Sequence, residues 1–474
     1  MPDLIPAIAE IFLTIALCVI LVIDTFLKQE QRILTFRLAM LALIGTAFCT
    51  VYFGVDGPVT TLNEAYLADP AGNVLKLFAY LIIGVVFLYS RDYLIRESLF
   101  KGEFFVLALF GLLGVMVITS SNNLLIVYLG LELLSLSLYA LVAFDRDSGL
   151  AAESAMKYFV LGAIASGTLL YGISILYGLT GTISINELSQ YFSAIEEVNL
   201  LALLGLAFVI VGIAFKFGAV PFHMWLPDVY QGARTPVTLY IGTAPKLAAF
   251  ALAWRFLSDG LGELHGSWQD MVLVLVVLSL ILGNLAAIAQ TNLKRMLAYS
   301  TISHVGFILM GFVTGSVDGL RASMFYTVTY VLMAAAAFGM IIALSRKGFE
   351  ADKLEDFKGL NGRSPWFALM MLMIMFSMAG VPPFVGFYAK LMVLESVLDS
   401  GLFGLAITGI IFAVVGAFYY LRVVWYMYFS EPSDTSALTV SSDFQLILSA
   451  NVLALLALGL FPGFLLDLCS RVLS

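Results

Sequence analysis

The sequence predicts an all-α polytopic membrane protein of about fourteen transmembrane helices, and three observations carry that prediction. Of 474 residues, 61% are hydrophobic and only 12% charged, against roughly half and a quarter in soluble domains. Apolar stretches of about 18 residues or more, long enough to cross a bilayer, recur from residue 4 to residue 467 and leave no room for a soluble domain. These runs lack the alternation of barrel strands, so the backbone must satisfy itself as helices. The net charge of −8 comes from loops, and a lipid-facing body without a basic patch argues against nucleic acid. Cys18, Cys49 and Cys469 lie in apolar runs without CxxC or His-Cys spacing. That pattern suits packing, and no metal, haem or iron–sulfur centre is expected.

The first apolar run, Leu4 to Leu27, has no basic region ahead of it and carries Glu10 and Asp24. It is therefore expected to remain as the first helix and not to act as a cleaved signal. Spans are expected near 4–27, 33–54, 73–90, 104–119, 122–144, 153–178, 199–230, 234–257, 270–290, 296–313, 319–345, 364–400, 402–429 and 443–467. The seventh and twelfth are too long for one crossing. Breaks are expected at Gly218 to Pro221 and at Pro382-Pro383, because proline removes a backbone donor and clashes with the preceding turn.

Sixteen of the 24 basic residues fall on one side of this arrangement and four (Lys76, Arg255, Arg321 and Arg471) on the other. The bias predicts both termini on the periplasmic side of a bacterial inner membrane. An internal similarity also emerges. ESAMKYFVLGAIASGTLLYGI (153–173) aligns with RASMFYTVTYVLMAAAAFGMI (321–341), SNNLL (121–125) with QTNLK (290–294), and AVPF (219–222) with VPPF (381–384). Three matches in the same order imply a duplication of helices four to eight and nine to thirteen. Five helices per copy invert the second copy, as in secondary transporters. The expected organisation is three helices in 1–103, a first repeat in 104–257, an inverted repeat in 270–429 and a last helix in 430–474.

The remaining four basic residues, Lys157, Lys216, Lys246 and Lys390, fall inside predicted spans. Glu132, in LGLELLSLSLYAL, shares a stripe with Ser135 and Tyr139 and must face protein or water. It fits either a charge-coupled path or a structural ion pair. Lys216 lies just before the seventh-helix break, where it could exchange a proton under the influence of a carboxylate or merely bond the freed carbonyls. A Glu132–Lys216 approach of about 5 Å would give attraction on the order of 3 kcal/mol at an effective dielectric near 20. Lys246 follows Pro245 about twelve residues, or roughly 18 Å, inside its span, too deep to snorkel. Lys390 follows the Pro-Pro break by seven residues, and its repeat equivalent is Asp228. Lys157 has Glu153 one turn away and fits an interfacial ion pair as well as a functional role. His304, mid-helix in YSTISHVGFIL, and His223, beside Pro221, could pass protons or be ordinary core histidines. His265 lies in a polar loop and is expected to have no role.

LGLELLSLSLYALVAF, the Lys216-to-PFHMWLPDVYQGA run, QTNLKRMLAYSTISHVGF and AGVPPFVGFYAKLMVL resemble the antiporter-like membrane subunits of respiratory complex I. These are similar in turn to subunits of sodium/proton antiporters. The lysine of the twelfth helix, the WLPDVYQGA wording and the lack of a long lateral helix after the fourteenth are closest to the N-type. The resemblance implies a proton path in which Glu132 modulates Lys216, Lys246 and His304 relay, and Lys390 exchanges outward, with Lys157 also at a family position. It implies no redox cofactor in this chain, with NADH, FMN, iron–sulfur clusters and quinone in other subunits. The implied partners are the other membrane and peripheral subunits, homologous antiporter-like subunits among them. A cation/proton antiporter or membrane-bound hydrogenase subunit is the alternative.

Overall fold

The computed structural model describes residues 3–195, 197–432, 438 and 440–473. The final domain expected from the sequence, 430–474, therefore lies partly outside the described residues. Five helices, α1 (Ile8–Phe26), α2 (Ile33–Tyr52), α3 (Pro70–Arg96), α4 (Gly102–Thr119) and α5 (Leu124–Val142), lead into the 32-residue α6 (Gly149–Thr180). A short amphipathic α7 (Ile185–Ser193) follows, burying Ile185, Leu188 and Phe192. Next come α8 (Leu200–Phe217), α9 (Trp225–Gly232), α10 (Thr235–Ile241), α11 (Ala244–Ala253), α12 (His265–Ile288), α13 (Leu293–Val313) and α14 (Val317–Leu344). The chain closes with α15 (Leu360–Arg363), α16 (Pro365–Ala379), α17 (Val385–Asp399), α18 (Phe403–Phe429), α19 (Ser442–Leu460) and α20 (Gly463–Val472). Among the described residues thirteen helical stretches are long and apolar enough to cross a membrane, and α16 is a shorter apolar helix separated from α17 by a break. The protein is a multi-pass, all-α membrane protein.

Connections on the same face are stitched to one another. A hairpin of β1 (Val59–Thr61) and β2 (Tyr66–Ala68) bridges to Ser121, and Asn123 bridges to Ser184. On the other face, Asn292 bridges to Lys353, and the Gly348 N–H donates to Glu97 at 3.1 Å. The second face carries most of the loop arginines and lysines and is called the basic face below. Two of the four basic residues expected on the opposite side prove to be buried: Lys76 is 1% and Arg255 2% exposed. Each sits within a turn or two of a helix end, where an apolar run does not distinguish a buried charge from a loop charge.

Lipid supplies little hydrophobic drive for packing, so close contact and internal hydrogen bonds do most of the work. The most enclosed crossings are α10–α11, α13 and α14, the last buried throughout its most apolar window. Around them the seventh and twelfth crossings break as expected, and in the same way. α8 ends at Gly218 with φ +79°, and the N–H groups of Gly218 and Ala219 both donate to the Ala214 carbonyl at 2.9 and 2.8 Å. α16 ends at Gly380 with φ +84°, and Gly380 and Val381 both donate to Phe376 at 3.1 and 2.9 Å. Glycine takes this left-handed position without the steric cost other residues meet.

Three differences from the sequence expectation bear on the site. The eighth crossing is also broken, at Gly242-Thr243, because Pro245 serves as a first-turn residue of α11. That crossing ends in a π-helical turn, Trp254–Gly260, which carries Arg255. His265 is the first residue of α12 and not a loop residue, its Nε2 lying 3.1 Å from the Val313 carbonyl. The last crossing stops at Leu460, ahead of Pro462, so the expected 443–467 span is really two helices.

Candidate functional site

Each break exposes the final carbonyls of a half-helix, which have no partner of their own. Lys246, 1% exposed in the first turn of α11, donates from Nζ to the Phe217 carbonyl at 2.8 Å, the last residue of α8. Lys390, 8% exposed on α17, donates to the Ala379 carbonyl at 2.8 Å and to Met378 at 3.2 Å, the end of α16. Both ammonium groups thus sit at the negative end of a helix dipole, worth about 0.3–2 kcal/mol. Neither has a carboxylate within ion-pair distance among the described residues, so each depends on carbonyls that could equally accept a neutral amine's proton.

Lys216 behaves differently. It lies in the last turn of α8, and its Nζ donates to Ser135 Oγ at 2.8 Å and Ser166 Oγ at 3.4 Å. The carbonyls of its own break go elsewhere, to Lys246 and to Trp225 Nε1. Glu132, one turn before Ser135 on α5, forms no direct ion pair with Lys216, and its Oε1 is buried without a hydrogen-bond partner. The charge of Glu132 nonetheless acts on Lys216, the coupling expected from the sequence, while the Lys216 hydrogen bonds go to serine hydroxyls.

His304, buried on α13, is held at both nitrogens. Nδ1 is hydrogen bonded to the Tyr326 hydroxyl at 2.8 Å and Nε2 to the Tyr420 hydroxyl at 3.0 Å. Tyr420 continues to Ser300 Oγ at 2.5 Å, while Tyr326 stacks on Phe307, whose ring carries Lys390 Nζ 5.4 Å from its centroid. A neutral imidazole donates through one nitrogen and accepts through the other, and this cradle offers a hydroxyl partner to each, the arrangement a tautomer switch needs.

Lys157 is placed apart from these residues. It is half-exposed on α6 and pairs with Glu153 and Asp228, both at 2.9 Å, while Asp228 also binds Arg295 at 2.7 Å. His223 lies in the break between α8 and α9, its Nδ1 buried and without a hydrogen-bond partner. Sequence reasoning missed several charged groups. On the face opposite the basic one, Lys76 pairs with Glu10 at 2.5 Å, and Arg255 with Asp69 at 2.5 Å and Asp259 at 3.0 Å. Their signal was present in AGNVLKLFAYL and AFALAWRFLSDG, apolar runs interrupted by a single cation.

Residues 121–416, which hold Lys157, Lys216, Lys246 and Lys390, match the family model described as NADH:quinone oxidoreductase/Mrp antiporter, transmembrane. This chain belongs to that family. Among relatives in the family, the NADH-quinone oxidoreductase subunit N of Thioalkalivibrio sulfidiphilus is 57% identical over 474 residues, covering 100% of this chain and 99% of its own. That of Thiobacillus denitrificans is 53% identical, over 99% and 97%. Among solved structures, a chain of respiratory complex I from Thermus thermophilus superposes with a TM-score of 0.83 at 31% identity, over 97% of this chain and 98% of that one. A chain of the Mrp complex from Dietzia shares the fold at 21% identity, with a TM-score of 0.86 and coverage of 99% and 97%.

Proposed function

We propose that this chain is a proton-translocating membrane subunit of a bacterial respiratory NADH:quinone oxidoreductase, embedded in the inner membrane beside other subunits of the complex. In this reading the basic face is cytoplasmic and both termini are periplasmic, following the distribution of loop lysines and arginines. The observation that carries the proposal is the row of buried lysines at broken-helix ends, Lys216 and Lys246 at one break and Lys390 at the other, joined on the far side by His304. A lysine held only by carbonyls or hydroxyls can give up its proton without leaving a buried unpaired anion.

Energy must arrive from outside the chain. NADH, FMN, iron–sulfur clusters and quinone belong, in this reading, to partner subunits, and this subunit answers their chemistry through charge. Glu132, partly exposed in the isolated chain, modulates Lys216 by its charge as neighbouring charges change. Lys246 and His304 relay, and Lys390 exchanges outward. The identical turns ending α8 and α16 support two inverted units, 104–257 and 270–429.

The test is NADH-driven proton uptake by inverted membrane vesicles, normalised to assembled complex. Lys216→Ala, Lys246→Ala and Lys390→Ala should each assemble and lose most pumping. Assembled variants that all pump at the wild-type rate would reduce the row to scaffolding.

A further inference from the structure

Lys294 reads in the sequence as a surface lysine beside Arg295, yet it is 1% exposed. It is the second residue of α13, and its Nζ donates to the Ala233 carbonyl at 2.9 Å, just past the end of α9. It thus repeats the arrangement of Lys246 and Lys390, an ammonium on the terminal carbonyl of a half-helix. Unlike them it also has a carboxylate, Glu350 Oε1, at 3.4 Å.

Glu350 is brought there by the basic-face loop between α14 and α15. Its carboxylate accepts the Thr235 N–H at 2.9 Å, the Thr235 hydroxyl, and the Tyr93 hydroxyl at 3.3 Å. Arg234, next along the chain, instead binds Asp145 at 2.7 Å. Burial pushes the Glu350 carboxyl up, but Lys294, the Thr235 bonds and Arg234 outweigh it and hold the group below its ordinary value. The Glu350 side chain is 19% exposed against 1% for Lys294, so the carboxylate is the member of the pair nearer the aqueous side.

The position of the pair gives it reach. It joins α3 through Tyr93, the α9–α10 junction through Ala233 and Thr235, and α13 through Lys294. From Thr235, α10 runs seven residues, about 10 Å, to the break ahead of Lys246; from Lys294, α13 runs about 15 Å to His304. A buried ion pair is weak as a stabilising device, since the desolvation of both charges offsets most of the attraction.

Resting on the proton-translocation reading above, we propose that Lys294 and Glu350 form the proton-loading station of the basic face. Lys294 passes one proton inward toward Lys246 or His304 and regains one from the aqueous phase past Glu350. The pair serves both halves of the relay because it sits where they meet.

The experiment uses the whole complex in inverted vesicles, with assembly read on native gels. Lys294→Arg keeps the charge and the donor but does not release its proton, so it should assemble and pump at least about fivefold slower. Wild-type pumping by Lys294→Arg would overturn the proposal. Should arginine block assembly, the near-isosteric Glu350→Gln decides: it should pump about two- to threefold slower than wild type, and wild-type pumping would again overturn the idea. Lys216→Ala in the same membranes separates the two levels. If it is silent while Lys294→Arg pumps normally, only the loading station falls; if it too pumps normally, the translocation reading falls with it.

Discussion

The hydrogen bonds that hold His304 can be tested one side chain at a time. The Tyr420 hydroxyl joins His304 Nε2 to Ser300, so Tyr420→Phe leaves two enclosed polar groups short of a partner. Such orphans cost about 1–3 kcal/mol. The variant should show a lower thermal midpoint of the assembled complex and slower pumping. Tyr89→Phe is the control, because among the described residues that hydroxyl is bonded only by the Asn451 amide, at 3.3 Å and away from the lysine row. Equal pumping by the two variants would remove Tyr420 from the relay. Whereas Lys294 read as a loop lysine, Lys216, Lys246 and Lys390 were legible in the sequence as inner lysines, since a cation within a long apolar run declares itself. Their partners were not. Lys246 reaches Phe217 across 29 positions, and Lys294 meets Glu350 from a loop beyond the next helix. Such contacts depend on tertiary packing that no local pattern encodes, which is also why Ser135 was noticed only as a stripe neighbour of Glu132.

At the scale of elements, the breaks of the seventh and twelfth crossings were legible because proline marks them. The break of the eighth was not, because IGTAP reads as a continuous apolar helix in which Pro245 fits a first turn. The twelfth-crossing break is held by α19, where Gly459 lies against the Pro383 carbonyl and a Cβ would occupy the oxygen's space. Backbone cannot step aside as a flexible side chain does. Gly459→Ala should therefore push α19 from the break and cut the yield of assembled complex. Gly404→Ala on α18, with nothing within 4 Å of its Cβ, should leave the yield unchanged. Equal yields would show that the α19 contact does not hold the break.

Across the whole molecule, the polar centre forms a band between two faces of unlike charge. Lys294 and Glu350 lie near the basic face, Lys216, Lys246 and His304 lie deeper, and Lys390 sits at the break of the twelfth crossing. The ion pairs Glu10–Lys76 and Asp69–Arg255 lie toward the other face. The central claim is that the inner lysines carry protons and do not merely cap helix ends. Lys246→Arg separates these roles most directly, because a guanidinium can still donate to the Phe217 carbonyl but stays protonated under almost all conditions. The decisive measurement is NADH-driven proton uptake by vesicles holding Lys246→Arg complex at wild-type abundance. The account predicts intact assembly with pumping lost; pumping at the wild-type rate would contradict it and leave Lys246 as a cap.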